Sequence, residues 1–231
     1  MKQYNQYLKT AVLIVFCSLV LLFSSCKNNI ATETILGKAR LLLVNSAANS
    51  SAMNLYWTGN KLNTVPLVYG NTTGYRTLTS GLRDVQIKDN LSNKLLATNT
   101  IRIVQDSSYT FFVFEANNAT TTVITEDDLS IPSFGNAKIR FANMSPGLSS
   151  ADLNILSGPI IASSVSFGSV GSYAEVKAGT YNLNLRIHGT STIVLNLPNM
   201  RMDNGKIYTI WSGGTVNGTG SSSLSAQTIT Q

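Results

Sequence analysis

Ser172-Tyr173-Ala174-Glu175-Val176-Lys177-Ala178-Gly179-Thr180-Tyr181-Asn182-Leu183-Asn184-Leu185-Arg186-Ile187 reads as two strands meeting at a tight turn at Ala178-Gly179, a hairpin by its alternation. The same plan stands 98 residues upstream, between Gly74 and Lys88. There Tyr75 takes the place of Tyr173, Leu78 of Val176 and Gly81 of Gly179, and Val85 and Ile87 take those of Leu183 and Leu185. A period near 98 residues is too long for a solenoid unit, which repeats every 20 to 50 residues or so. It predicts two tandem domains, each long enough to bury its own core.

Working outward, Ala39 to Asn45 and Ala137 to Asn143 open the two repeats at the same spacing, and Ile139 and Phe141 are the inward residues of the second. Met53-Asn54-Leu55-Tyr56-Trp57 alternates like a half-buried strand, closed by a turn at Thr58-Gly59-Asn60, and Asp152 to Leu156 is its counterpart. Tyr109 to Phe114 is apolar on both faces, which predicts a central strand or one covered by the other repeat. Ile207 to Trp211 corresponds to it. Ile193 to Leu197 is a strand expected to stop at Pro198, and Leu224, Ala226 and Thr228 supply a closing strand like Thr120 to Thr125. Between the repeats, Glu126 to Gly135 carries three acids and a proline and reads as a solvated linker; its spacing fits no loop of alternating calcium ligands. Strands parted by turn signals, with no helical period, predict an all-β chain of two immunoglobulin-like or transthyretin-like β-sandwiches over 38–126 and 137–231, joined by a linker at 127–136.

The first residues have another character. Lys2 and Lys9 precede an apolar run from Ala11 to Phe23, the pattern of a signal peptide and too short for a comfortable span of about 20 apolar residues. The run ends in Leu22-Phe23-Ser24-Ser25-Cys26, which resembles the lipobox of bacterial lipoproteins. That resemblance implies removal of residues 1–25, acylation of Cys26 and a tether over 26–37; the alternatives are an ordinary signal peptide or an uncleaved anchor. Cys17 would leave with the peptide, so Cys26 would be the one remaining cysteine and no internal disulfide could form. Loss of Lys2 and Lys9 takes 17 basic residues to 15 against 11 acids, a formal charge of +4. The basic residues are scattered, which argues against a nucleic-acid partner.

Asn143-Met144-Ser145-Pro146, Ala151-Asp152-Leu153-Asn154-Ile155, Phe167-Gly168 before Tyr173, Ala178-Gly179-Thr180-Tyr181 and Asp203-Asn204-Gly205-Lys206-Ile207-Tyr208-Thr209 resemble the domain-of-unknown-function family numbered 4397. The resemblance covers most of 137–213 and, through the repeat, 39–115 more weakly, so tandem copies are expected in a Bacteroidota-like lipoprotein. Ala48 stands near the expected proline of the first copy, and an acid before its second strand is missing. The family implies a place in the bacterial envelope, outer membrane or periplasm, and no activity.

Catalytic chemistry has few candidates. His188 is the only histidine, next to Gly189, where a turn position competes with a general base; no Gly-x-Ser-x-Gly elbow, zinc-ligand set or phosphate-binding glycine loop occurs. No cofactor, metal or enzyme activity is expected. Trp57, Tyr75, Tyr173 and Trp211 are the candidate ligand residues, since aromatic faces stack on sugar rings, against the alternative that they pack in the cores. The expectation is a lipid-anchored envelope protein that binds or scaffolds, with a glycan-binding module as alternative and a hydrolase as a third; its partners are the membrane through the lipid, and an envelope protein or a glycan.

Overall fold

The computed structural model describes residues 37–231, so the signal peptide, Cys26 and the tether up to residue 36 lie outside the described residues. The described chain is almost wholly β. Sandwich 1 contains β1 (Lys38–Asn45), β2 (Met53–Trp57), β3 (Asn60–Lys61), β4 (Thr72–Thr79), β5 (Gly81–Asp89), β6 (Leu95–Ile103), β7 (Ser108–Ala116) and β8 (Ala119–Glu126). Sandwich 2 contains β9 (Asn136–Asn143), β10 (Ser150–Ile155), β11 (Ile160–Ser166), β12 (Ser169–Val170), β13 (Ala174–Lys177), β14 (Gly179–Ile187), β15 (Ile193–Met202), β16 (Ile207–Gly213) and β17 (Ser225–Thr230).

The strand orders are β4-β1-β7-β8 and β3-β2-β5-β6 in sandwich 1, and β12-β9-β16-β17 and β11-β10-β14-β15 in sandwich 2, with β13 also on β9. One plan is thus used twice, β12 and β13 together taking the place of β4. In each copy the first strand runs parallel to the seventh of the plan, β1 beside β7 and β9 beside β16.

The paired stretches that reveal the repeat are not hairpins. β13 pairs with β9, whereas β14 pairs with β10 and β15, so the chain changes sheet at Ala178. β4 and β5 part in the same way at Ser80. A hairpin and a corner between sheets share alternation and a turn residue, which is why the pattern suits both. Gly81 needs its glycine, at φ +102°, while Gly179 is not among the positive-φ residues. A true hairpin does join β2 to β3, with both loop residues, Thr58 and Gly59, at positive φ as a two-residue turn requires. β15 also departs from expectation by running through Pro198; it is an edge strand, where a missing N–H is tolerated.

Three cores result. Leu41, Leu43, Leu55, Ile87, Phe111 and Val113 fill sandwich 1, and Ile139, Phe141, Leu153, Leu185 and Ile210 fill sandwich 2. The third lies between them, where Leu42, Val44, Phe112 and Phe114 from the far sides of β1 and β7 meet Ala142, Met144, Trp211 and Ile229. This accounts for the two apolar faces of β7: odd residues serve the first core and even residues the third. Residues 37–231 accordingly form one compact unit containing four sheets. Each large side chain buried in the third core contributes about 1.5–3 kcal/mol.

Candidate functional site

The four aromatic candidates are not assembled into one surface. Trp57 is buried in the core of sandwich 1 and Trp211 in the contact between sandwiches, where it meets Tyr69 edge-on at 6.1 Å. Neither tryptophan offers a ring face on which a sugar could stack. Tyr75 and Tyr173 are half-buried and belong to a polar cluster at the same contact.

That cluster is built from equivalent positions. Tyr75 Oη donates to Asp127 at 2.6 Å, and Tyr173 Oη to Gln231 at 2.5 Å. Thr110 donates to Asp127 at 2.9 Å, and Thr209 to Gln231 at 3.1 Å. The bonds between the halves come from Arg140 and Gln231. Arg140 pairs with Asp127 through Nη2, gives Nε–H to Thr209 at 2.9 Å and lies 4.5 Å over the Tyr173 ring. Gln231 Nε2 donates to Tyr75 and Thr110, both at 3.3 Å. The side chains of Arg140 and Asp127 are 2% and 0% exposed. Burial, followed by the charge and hydrogen bond of Asp127, holds Tyr75 well above the ordinary phenol value. Burial also raises Tyr173, against the pull of Arg140. Asp127, expected in a solvated linker, is therefore a structural anion. The clue lay in Arg140, an outward residue of an alternating strand that has no water to face once a second sheet covers it.

A second polar cluster lies on the outer side of β10, β14 and β15, with Asp152, Asn154 and Asn184 buried in it and His188 and Asn196 exposed. Leu183, Leu185 and Ile187 point into the core, which sends Asn184, Arg186 and His188 outward beside Asp152 and Asn154. Asn154, Asn184 and the exposed Asn196 stand in direct register across three strands. Arg186 Nε donates to Asn184 Oδ1 at 3.0 Å, and the buried Asn184 Nδ2 has no partner among the described residues. Ser164, at φ +56° beside a register shift, turns its N–H onto Asp152 at 2.7 Å. His188 Nδ1 is 2.9 Å from the same carboxylate oxygen. Burial pushes Asp152 up, but the Ser164 N–H, His188 and Ser163 outweigh it and hold the carboxyl below its ordinary value.

His188 therefore does not stand alone on a turn: an acid orients it. The neighbouring hydroxyl of Ser163 donates to Asp152, and among the described residues no hydroxyl is bonded to the other imidazole nitrogen. Among the described residues no group of His, Cys, Asp and Glu could hold a metal ion. On sandwich 1 the corresponding face is closed on itself: Asn54 donates to Asn90 and accepts from Asn63, and Lys88 lies 4.6 Å over Tyr56.

A family profile described as Domain of unknown function (DUF4397) matches residues 39–154, half of the chain. The chain belongs to this family. The DUF4397 match is single rather than tandem: it runs through sandwich 1 and the linker and ends within β10. The duplication is thus carried by strand order and not by two profile matches. No curated protein matches the chain in sequence. Among solved structures, the chain is similar to the C-terminal domain of AlgF from P. aeruginosa, at 18% identity and a TM-score of 0.31 over 43% of this chain and 100% of that one. It is also similar to a family 26 carbohydrate-binding module of Eubacterium rectale Amy13K, at 10% identity and a TM-score of 0.27 over 82% and 96%. A candidate cell adhesion protein of Parabacteroides distasonis gives 7% and 0.23 over 85% and 99%. Scores of this size bear on neither the fold nor the function of the DUF4397 chain.

Proposed function

We propose that this is a lipid-anchored protein of the bacterial cell envelope that binds or scaffolds and carries no catalytic activity. The pairing of His188 with Asp152 supports the non-catalytic part, the remaining ring nitrogen bonding no hydroxyl among the described residues. Support for a scaffold comes from the third core and the Arg140–Asp127 pair, which lock two sandwiches into one body with a polar sheet face on either side. Anchorage is read from Leu22 to Cys26 after an apolar run, and the proposed location is the outer membrane, facing the periplasm or the cell surface. Each buried methylene of an acyl chain contributes about 0.8 kcal/mol, so several chains hold Cys26 durably. Wild type should enter the detergent phase on phase separation and Cys26→Ser should leave it; equal partitioning would sink the anchor. Crosslinking in intact envelopes then reads out the partner.

A glycan is the second reading, now on different residues. On the outer side of sandwich 2 the exposed Asn196 and His188 offer donors and acceptors to sugar hydroxyls. A glycan array probed with wild type and Asn196→Ala separates the readings, since only a glycan binder gives signal that the variant loses.

A further inference from the structure

The linker between the sandwiches is held firmly yet displays two large apolar side chains. Lys138 Nζ donates to Asp128 at 2.9 Å and to Ser130 at 2.8 Å. Ser133 N–H reaches Glu175 at 3.0 Å, Gly135 N–H reaches Asn204 at 2.8 Å, and Pro132 is buried. On this frame Ile131 is 87% and Phe134 96% exposed. A loop tied down on both sides of its apolar residues keeps them in water, at a cost that a partner would remove.

The end of the molecule they occupy is the one where the chain arrives. Gly37 accepts a hydrogen bond from Ser80 at the corner between β4 and β5, and Ala178, at the matching corner of sandwich 2, bonds Gly135. A cleft of about 560 Å³ between the start of β1 and the linker is lined by Arg40, Asp106, Ser107, Asp128 and Leu129. Ten residues separate Cys26 from Gly37, a reach of roughly 36–40 Å when fully extended.

We infer that Ile131 and Phe134 enter the lipid surface to which the chain is tethered, setting the body upright on its linker end. The inference rests on the anchor proposed above. A short tether keeps this end at high effective concentration near the bilayer, so a contact too weak to hold a free protein still orients a tethered one. An aromatic ring beside a β-branched side chain suits the interfacial zone, where apolar bodies leave water without crossing the membrane.

The test uses the full-length acylated protein in vesicles of phosphatidylethanolamine and phosphatidylglycerol. Phe134→Trp is compared with Leu91→Trp; Leu91 is 90% exposed at the far end of β5, a strand spanning about 30 Å. Trp57 and Trp211 are buried and give a constant background. The expected result is a blue shift at position 134 and quenching there by lipids brominated near the headgroup, with neither at position 91. Equal quenching at both positions, or none at 134 in protein that floats with the vesicles, would overturn the inference and leave the anchor standing. A blue shift at 134 without bromine quenching would assign the site to a protein contact or a second copy, and overturn it too. Wild type that fails to float would remove the anchor, and this inference with it.

Discussion

The two sandwiches share a strand plan but treat equivalent positions differently, most of all where they touch. Leu42 stands in the first copy where Arg140 stands in the second, and Asp127 where Gln231 stands. Tyr75 and Tyr173 keep the same task on the two sides, each donating to the residue that follows the last strand of its own sandwich. A contact between two like faces can bury one guanidinium near its middle, where a second would meet like charge. Asymmetry at one pair of positions turns a polar seam into an ion pair and fixes which faces meet. The outer faces diverge in the other direction: on sandwich 1 Asn54 bonds Asn63 and Asn90, whereas on sandwich 2 Asp152 gathers Ser163, Ser164 and His188 beside a buried amide of Asn184 that is unpartnered among the described residues.

The largest expected effect comes from breaking the seam on one side. Arg140→Met leaves Asp127 buried without its partner and should cost about 3–5 kcal/mol in urea denaturation. Adding Asp127→Gln makes the two halves alike and should restore most of that loss. If the double variant is no more stable than the single one, the ion pair is not what sets the seam apart.

pH separates the seam from the outer face of sandwich 2. Tyr75 is held above its ordinary value near 10, so the folded state keeps a proton that the unfolded chain gives up. Its stabilisation is present below about pH 10 and is lost as the pH rises beyond that. Asp152 is held below its ordinary value, so its stabilisation is present above about pH 4 and is lost as the pH falls. Thermal melts should show Tyr75→Phe flattening only the alkaline limb and Asp152→Asn only the acid limb; a single variant changing both would join two regions that the structure keeps apart.

The smallest effect belongs to His188. Its side chain is 42% exposed, so His188→Ala should cost about 0–1 kcal/mol at neutral pH, measured by urea denaturation against wild type. A loss of several kcal/mol would make the pair structural and draw the two outer faces together again.

Much of this was legible in the residues. The 98-residue offset of Tyr75 and Tyr173 showed the duplication, and the doubly apolar run at Tyr109 to Phe114 predicted a strand either central or covered by the other repeat, the second of which the third core bears out. Alternation cannot say which strand a residue faces, however, and so a corner at Ala178 reads like a hairpin. Nor does it tell water from a neighbouring sheet: Lys138 and Arg140 looked solvent-facing and are buried. The Asp152–His188 pair was hidden because its partners lie on strands 36 residues apart, and Ser164 reaches them only through a local bulge.

The parallel pairing of β1 with β7 has a kinetic side. Arg40 meets Ser108 across 68 residues, and Arg140 meets Thr209 across 69. In each sandwich the opening strand must wait for a late one, so closure entropy falls due before most native contacts form. Such high contact order places folding in the millisecond-to-second range of β-sandwiches. While a chain emerges end first, β1 and β9 remain open edges until β7 and β16 arrive, and that interval is when this molecule is most exposed to mispairing.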